Sequence, residues 1–173
     1  ADFGDDYWLT RDEDGRFPED FCLALAEAGY LGIAMPEDFG GSGLGITEAA
    51  VMVQAISESG AANGGVSSVS INVFGVNPIV RYGTDEQKQR WLPPVMRREE
   101  RACFAVTEPD AGLDTTRLST RAVRDGDKYL IHGQKIWTTT AQVADKIMLI
   151  ARTSPINETD SPIDGLSLFY ADL

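Results

Sequence analysis

Histidine is nearly absent, with His132 the single one in 173 residues. A lone imidazole excludes a histidine-based zinc site and a histidine-dependent nucleophilic triad, so His132 reads as a surface residue of a hairpin. Cysteine is scarce too. Cys22 and Cys103 lie far apart inside apolar runs, which excludes a disulfide framework and leaves two reduced core thiols. Basic residues are outnumbered, 15 against 27 acidic ones, for a formal net charge of −12. That deficit argues against nucleic acid, whose phosphates need clustered Lys and Arg, and against an anionic membrane surface. No apolar run approaches the roughly 20 residues of a membrane span, and no basic-then-apolar leader opens the chain. The sequence starts at Ala1 in an acidic segment and stops at Leu173 after an apolar run, so it is expected to be a piece of a longer protein.

What is present is ordinary globular material, 43% hydrophobic and 24% charged, enough to bury roughly two thirds of the unfolded surface. The first half has a helical period. Phe17-Pro18-Glu19-Asp20 starts one helix, with Phe21, Leu25 and Ala28 on one face, Cys22 beside them and Gly29 as its stop. A glycine-rich loop spans Ile33 to Gly45. A second helix is predicted over Thr47–Ser59, with an apolar stripe of Ala50, Val51, Val53, Gln54 and Ile56 before Gly60. Propensity does not separate helix from strand between Val66 and Phe74. The three- and four-residue spacing of Val66, Val69, Val73 and Val76 predicts helix. Thr84 with Gln87 is a capping box opening a short helix that should end before Pro93-Pro94.

Near Arg97–Arg101, read as a solvated charged connector, the period changes to two. Strands are predicted over Arg101–Val106, Leu118–Arg124 and Tyr129–Ile136, the last two joined by a hairpin turn at Asp125–Lys128. Two more follow, at Lys146–Arg152 and Leu166–Tyr170. The expected fold is α+β, an all-helical domain over 1–100 and the front part of an antiparallel β domain over 101–173.

Two segments carry candidate chemistry. Phe104-Ala105-Val106-Thr107-Glu108-Pro109-Asp110-Ala111-Gly112-Leu113-Asp114 is a strand running into a loop that exposes backbone amides, suited to an anion or the edge of a heterocycle. Gly133-Gln134-Lys135-Ile136-Trp137-Thr138-Thr139-Thr140 places an indole beside three hydroxyls. Each alone is also consistent with an ordinary turn or a core tryptophan. Together with Tyr82-Gly83-Thr84-Asp85-Glu86-Gln87-Lys88 and Pro36-Glu37-Asp38-Phe39-Gly40-Gly41-Ser42-Gly43, in this order from Phe17 to Tyr170, they resemble the acyl-CoA dehydrogenase family.

The resemblance implies a flavoprotein of fatty acid metabolism that removes two hydrogens from Cα and Cβ of an acyl-CoA thioester. A carboxylate takes the α proton, a hydride leaves for N5 of FAD, and electrons pass to an electron-transferring flavoprotein. It implies a helical domain (here apparently without its first helix), a middle β domain and a C-terminal four-helix bundle. It also implies a dimer or tetramer at full length, in the cytoplasm or, in a eukaryote, the mitochondrial matrix. By motif position Phe104, Val106 and Thr107 would lie along the flavin, Trp137 would cover it, and Thr138 and Thr139 would sit at its edge, Thr139 near N5. Donors there would stabilise the reduced ring. Gly112 would admit the pyrophosphate closely. Leu113 departs from the family's serine and can offer FAD or CoA only its backbone amide. Asp110 departs from the family's usual glycine. Ser67, Ser70 and Phe74 would line the acyl tail.

The resemblance places no catalytic base in this chain, because the family's base comes from the C-terminal bundle. Glu108 is held by Pro109 in the flavin-edge loop, and Glu58 sits at a helix end. An oxidase on the same scaffold, acting on acyl-CoA or a nitroalkane, shares every motif above. A non-catalytic acyl-CoA- or protein-binding module is the third reading, and it would have no need of hydroxyl donors at a flavin edge.

Overall fold

The acidic segment Asp5–Asp14 forms a helix, α1, that the periodicity did not announce. Asp5 and Asp6 in its first turn and Arg11 in its last suit the helix dipole. Trp8 is its one buried residue, edge-on to Phe21 with ring centroids 5.0 Å apart. The computed structural model describes residues 3–173, which fall into two units, one running through Ala102 and the other Cys103–Leu173.

In the first unit α2 (Glu19–Glu27) follows Pro18 and buries Phe21 and Cys22. Gly29, at φ 81°, supplies the left-handed residue after it. The glycine-rich loop folds back tightly: a Cβ on Gly41 would lie 2.2 Å from the Met35 carbonyl oxygen. Helix α3 (Ile46–Ile56) buries Ala49, Met52 and Ile56. This corrects the expected stripe, since Ala50, Val51 and Gln54 are exposed. Composition alone could not choose between these faces, because apolar residues lie almost all round this helix.

Helix α4 (Ala62–Ser70) is set off from α3 by a kink at Ser57–Ala61, where Gly60 takes φ 96°, and is followed by a π-wound stretch, Ile71–Gly75. The kink breaks the helical path, and the wider turn rotates the chain that follows relative to an ideal helix. Helix α5 (Asn77–Tyr82) leads to α6 (Asp85–Met96). The capping box is formed: Gln87 N–H donates to Thr84 Oγ1 at 3.3 Å, and Thr84 N–H to Gln87 Oε1 at 2.9 Å. Helix α6 runs through Pro93 and Pro94 rather than ending before them. The carbonyls robbed of donors belong to Gln89 and Arg90, both exposed and open to water, while Leu92, Val95 and Met96 anchor the last turn in the core.

The charged run after α6 is not wholly solvated. Arg97 pairs with Glu99 at the surface, but the Arg98 side chain is 3% exposed. Its guanidinium donates to both oxygens of Glu19, at 3.0 and 2.9 Å, and lies over the Phe17 ring. The end of α6 is thereby fastened to the start of α2.

In the second unit the sheet has the order β1 (Ala102–Ala105), β4 (Lys146–Arg152), β2 (Arg121–Asp125), β3 (Lys128–His132), with β5 (Leu166–Asp172) also paired to β4. The predicted hairpin is present, with Asp125 opposite Lys128. Strand β4 pairs antiparallel with β5 over seven positions and meets β2 in parallel at Arg152 and Arg121. Strand β3 stops at His132, four residues short of expectation, because the chain then turns toward a different partner, described below.

Replacing Thr84 with Ala removes the side-chain acceptor of the α6 cap and should cost about 1 kcal/mol. Urea unfolding of the two proteins checks this, and an unchanged midpoint would show that the cap carries no net stability.

Candidate functional site

After β1 the chain enters a closed turn. Glu108 N–H donates to the Ala111 carbonyl at 3.0 Å and Ala111 N–H returns to the Glu108 carbonyl at 3.2 Å. The Glu108 side chain is buried and turned inward. One oxygen accepts Ser119 N–H and Ser119 Oγ, both at 2.7 Å; the other accepts Thr120 N–H and Lys135 Nζ, both at 2.9 Å. Burial alone would raise the pKa of this acid, but donors from Lys135, Thr120 and Ser119 outweigh it and lower it to about 2. With its oxygens occupied by four donors, Glu108 cannot serve as a proton acceptor near neutral pH.

Lys135 also donates to the Val106 carbonyl at 2.9 Å, and the next residue, Ile136, sends its N–H to the Thr107 carbonyl at 2.9 Å. This is why β3 ends early. A Cβ on Gly133 would lie 2.2 Å from Thr120 Oγ1, so the backbone crosses there at a distance only glycine allows and then runs beside residues 106–107. The two segments singled out in the sequence are thus joined through their backbones.

Beyond Ile136, Trp137 has φ 57° and Thr140 φ 69°, the left-handed region that costs a bulky residue on the order of 1–3 kcal/mol. The Trp137 indole is 85% exposed. A strained backbone that holds an indole out in water marks a contact surface better than a core residue. Thr107, Thr138 and Thr139 make no side-chain hydrogen bond among the described residues, whereas Thr116 donates to Asp114 and Ser119 to Glu108. Nothing packs within 4 Å of where a Gly112 Cβ would stand, so no internal contact demands glycine there. Leu113 is fully exposed. Phe104 and Val106 are half-buried. An exposed aromatic wall, three unpaired hydroxyls and an open glycine loop are a donor set that fits a flavin.

The remaining candidates lie in the helical unit. Ser67 Oγ donates to the Asn63 carbonyl at 2.7 Å and Ser70 Oγ to the Val66 carbonyl at 2.5 Å, so both hydroxyls are returned to their own helix. Phe74 falls in the π-wound stretch Ile71–Gly75 and is 55% exposed. Glu58, also exposed, accepts Gln54 Nε2 at 2.8 Å. His132 is exposed, and both cysteines are free and buried, with burial pushing their thiols up. No cluster of metal-ligating side chains occurs among the described residues, and none of their helices is long and apolar enough to cross a membrane.

Sequence reading passed over Lys135 and Ser119 as site residues. The signal for Lys135 was a lone cation in the Gly-Gln-Lys-Ile-Trp run, three residues downstream of an exposed strand. Its partner, Glu108, reads in the sequence only as a candidate base.

A sequence model of the acyl-CoA dehydrogenase N-terminal domain matches residues 5–99, and one of the acyl-CoA dehydrogenase middle domain matches residues 103–173. The chain is 33% identical over 161 residues to the 3-(aryl)acrylate reductase of Clostridium sporogenes, covering 93% of this chain and 41% of the reductase. It is 38% identical over 165 residues to the (2S)-methylsuccinyl-CoA dehydrogenase of Cereibacter sphaeroides, covering 95% of this chain and 29% of that enzyme. The crystal structure of an acyl-CoA dehydrogenase from Geobacillus kaustophilus matches with a TM-score of 0.84 and 32% identity, over 99% of this chain and 44% of that one. The chain spans less than half the length of each of these relatives.

Because Glu108 titrates below its ordinary value of 4.5, it contributes stability that is present above that value and lost as pH falls toward about 2. Glu108→Gln lacks this contribution. The stability difference between wild type and variant, read from urea midpoints, should shrink as pH is lowered through that window. A difference constant with pH would contradict the depressed carboxyl.

Proposed function

The chain belongs to the acyl-CoA dehydrogenase family, and from that premise we propose that it is the flavin- and substrate-binding front half of an enzyme that dehydrogenates an acyl-CoA thioester between Cα and Cβ. The observation that carries the reading is the joined pair of segments at 104–113 and 133–139, which sets an exposed indole beside hydroxyls that have no hydrogen-bond partner among the described residues. FAD, when bound, supplies the acceptor for the hydride that leaves Cβ. Phe104, Val106 and Thr107 would lie along its ring, with the Thr107 hydroxyl donating at the pyrimidine edge. Thr138 and Thr139 would donate on the other side, Thr139 near N5. Trp137 would cover the ring and exclude water, which strengthens each of these hydrogen bonds. Gly112 and the Leu113 amide would meet the pyrophosphate, and the exposed Leu113 side chain would face either cofactor or CoA.

Ser67, Ser70 and Phe74 would border the acyl tail. With both hydroxyls bound to their own helix, the serines would present small, largely apolar surface, which suits a hydrocarbon. The proton acceptor for Cα lies outside this chain: Glu108 is held ionised by four donors, and Glu58 is exposed beside Gln54. A soluble electron-transferring flavoprotein would take the electrons onward, and the full-length protein would be a homo-oligomer.

Two outcomes test this. Trp137→Ala should weaken FAD retention in the full-length protein, as followed by flavin fluorescence; unchanged affinity would remove its role as a wall. The 173-residue chain loaded with FAD should show no substrate-dependent bleaching of the visible flavin band when saturated acyl-CoA is added without oxygen, whereas the protein in its full encoded length should bleach. Bleaching by the short chain at the full-length rate would place a base within residues 1–173.

A further inference from the structure

The Glu108 site contains a buried cation that the proposed chemistry does not use. The Lys135 side chain is 8% exposed and its ammonium bridges the Val106 carbonyl and Glu108 Oε1, each at 2.9 Å. A buried ion pair is weak evidence for stability, since apolar side chains of the same volume often do as well. The geometry says what else it does. The Val106 carbonyl and the Thr107 N–H belong to one planar trans peptide and point in opposite directions. Fixing the carbonyl on Lys135 therefore fixes the plane of that peptide and turns the Thr107 N–H to the side away from Lys135. The following carbonyl, of Thr107, is held by Ile136 N–H, so two successive peptides of the 106–108 segment are oriented by two successive residues that lead directly into Trp137. An ammonium on the carbonyl also polarises the peptide and makes its N–H a stronger donor.

We propose that Lys135 is a positioning residue of the flavin site, one that orients the Val106–Thr107 peptide so that the Thr107 N–H and hydroxyl meet the flavin edge. The proposal rests on the flavin reading above. It separates two roles that Lys135 fills together, neutralising Glu108 and aiming the 106–107 peptide. Glu108→Gln removes the charge of the partner but leaves Lys135 on the Val106 carbonyl. Lys135→Met keeps the length and volume of the side chain and removes the tether.

The test uses the protein in its full encoded length, with FAD affinity measured by fluorescence titration and the midpoint potential of the bound flavin measured at saturating FAD. Lys135→Met should bind FAD about tenfold more weakly, the scale of one lost charge-assisted hydrogen bond. Its potential should move to more negative values, because a weaker donor at the ring edge stabilises the reduced flavin less. Glu108→Gln should stay close to the wild-type potential even where it lowers thermal stability. The double variant Glu108→Gln/Lys135→Met leaves no buried charge unpaired, and it decides the matter where a single replacement does not fold; it should show the shifted potential of Lys135→Met. Wild-type affinity and potential in the double variant, or equal shifts in Lys135→Met and Glu108→Gln, would overturn the proposal. A wild-type protein that takes up no FAD would overturn the flavin reading itself, before any variant is compared.

Discussion

A carboxylate shut away from water must be surrounded by donors, and in the second unit that requirement organises the loops. Glu108 draws in Ser119, Thr120 and Lys135, three positions from two other stretches of chain. Meeting it forces Gly133 against Thr120, takes residues 133–136 off the hairpin ladder and lays them along 106–107. The left-handed backbone of Trp137 comes directly after that junction. Buried arginine does similar work nearby. Arg152, at the end of β4, donates to the carbonyls of Leu118, Pro162 and Thr116, so the loop that supplies Ser119 and Thr120 is itself held from behind.

The helical unit uses a similar device. Arg98 and Glu19 are separated by most of that unit's length, and their two-pronged hydrogen bond closes it end to end. Arg98 takes a positive φ of 61° to reach Glu19. In both units, then, an ion pair with a buried cation coincides with an unusual backbone, and in both it joins stretches that local rules would leave unrelated. Such a pair adds little net stability over an apolar replacement, but it disfavours alternative loop arrangements, because any of them would strand a charge without a partner.

Legibility tracked the range of the interaction. Helix α2, the start of α6, the β2–β3 hairpin and β4 were readable because proline placement, a capping box, a turn and an apolar run act within a few residues. The presence of helix α1 was hidden by its charge, with only Trp8 buried against distant aromatics. The face of α3 depended on which neighbour it met. The passage of α6 through Pro93-Pro94 depended on the tertiary anchoring of Leu92, Val95 and Met96. At the site, the motif segments were legible as residue types, but the Glu108–Lys135 junction spans 27 positions and had no local signature.

How the second unit distributes its hydroxyls bears on where a ligand would be recognised. In the 114–120 loop Thr116 and Ser119 are consumed by Asp114 and Glu108, and the unpaired Thr120 hydroxyl is buried out of a ligand's reach. The hydroxyls of Thr138 and Thr139, next to Trp137, are unspent among the described residues. A side chain already satisfied within the protein gains little by turning to a ligand, since it only exchanges one hydrogen bond for another, whereas an unpaired donor exchanges water for a fixed partner. On the flavin reading, side-chain recognition is therefore concentrated at the ring and its edges, and the pyrophosphate end is left to backbone amides near Gly112. Orientation at the ring then depends on how firmly the 106–107 and 136–139 segments are held, and the contacts that hold them are those of Lys135 and Ile136 on the Val106 and Thr107 carbonyls.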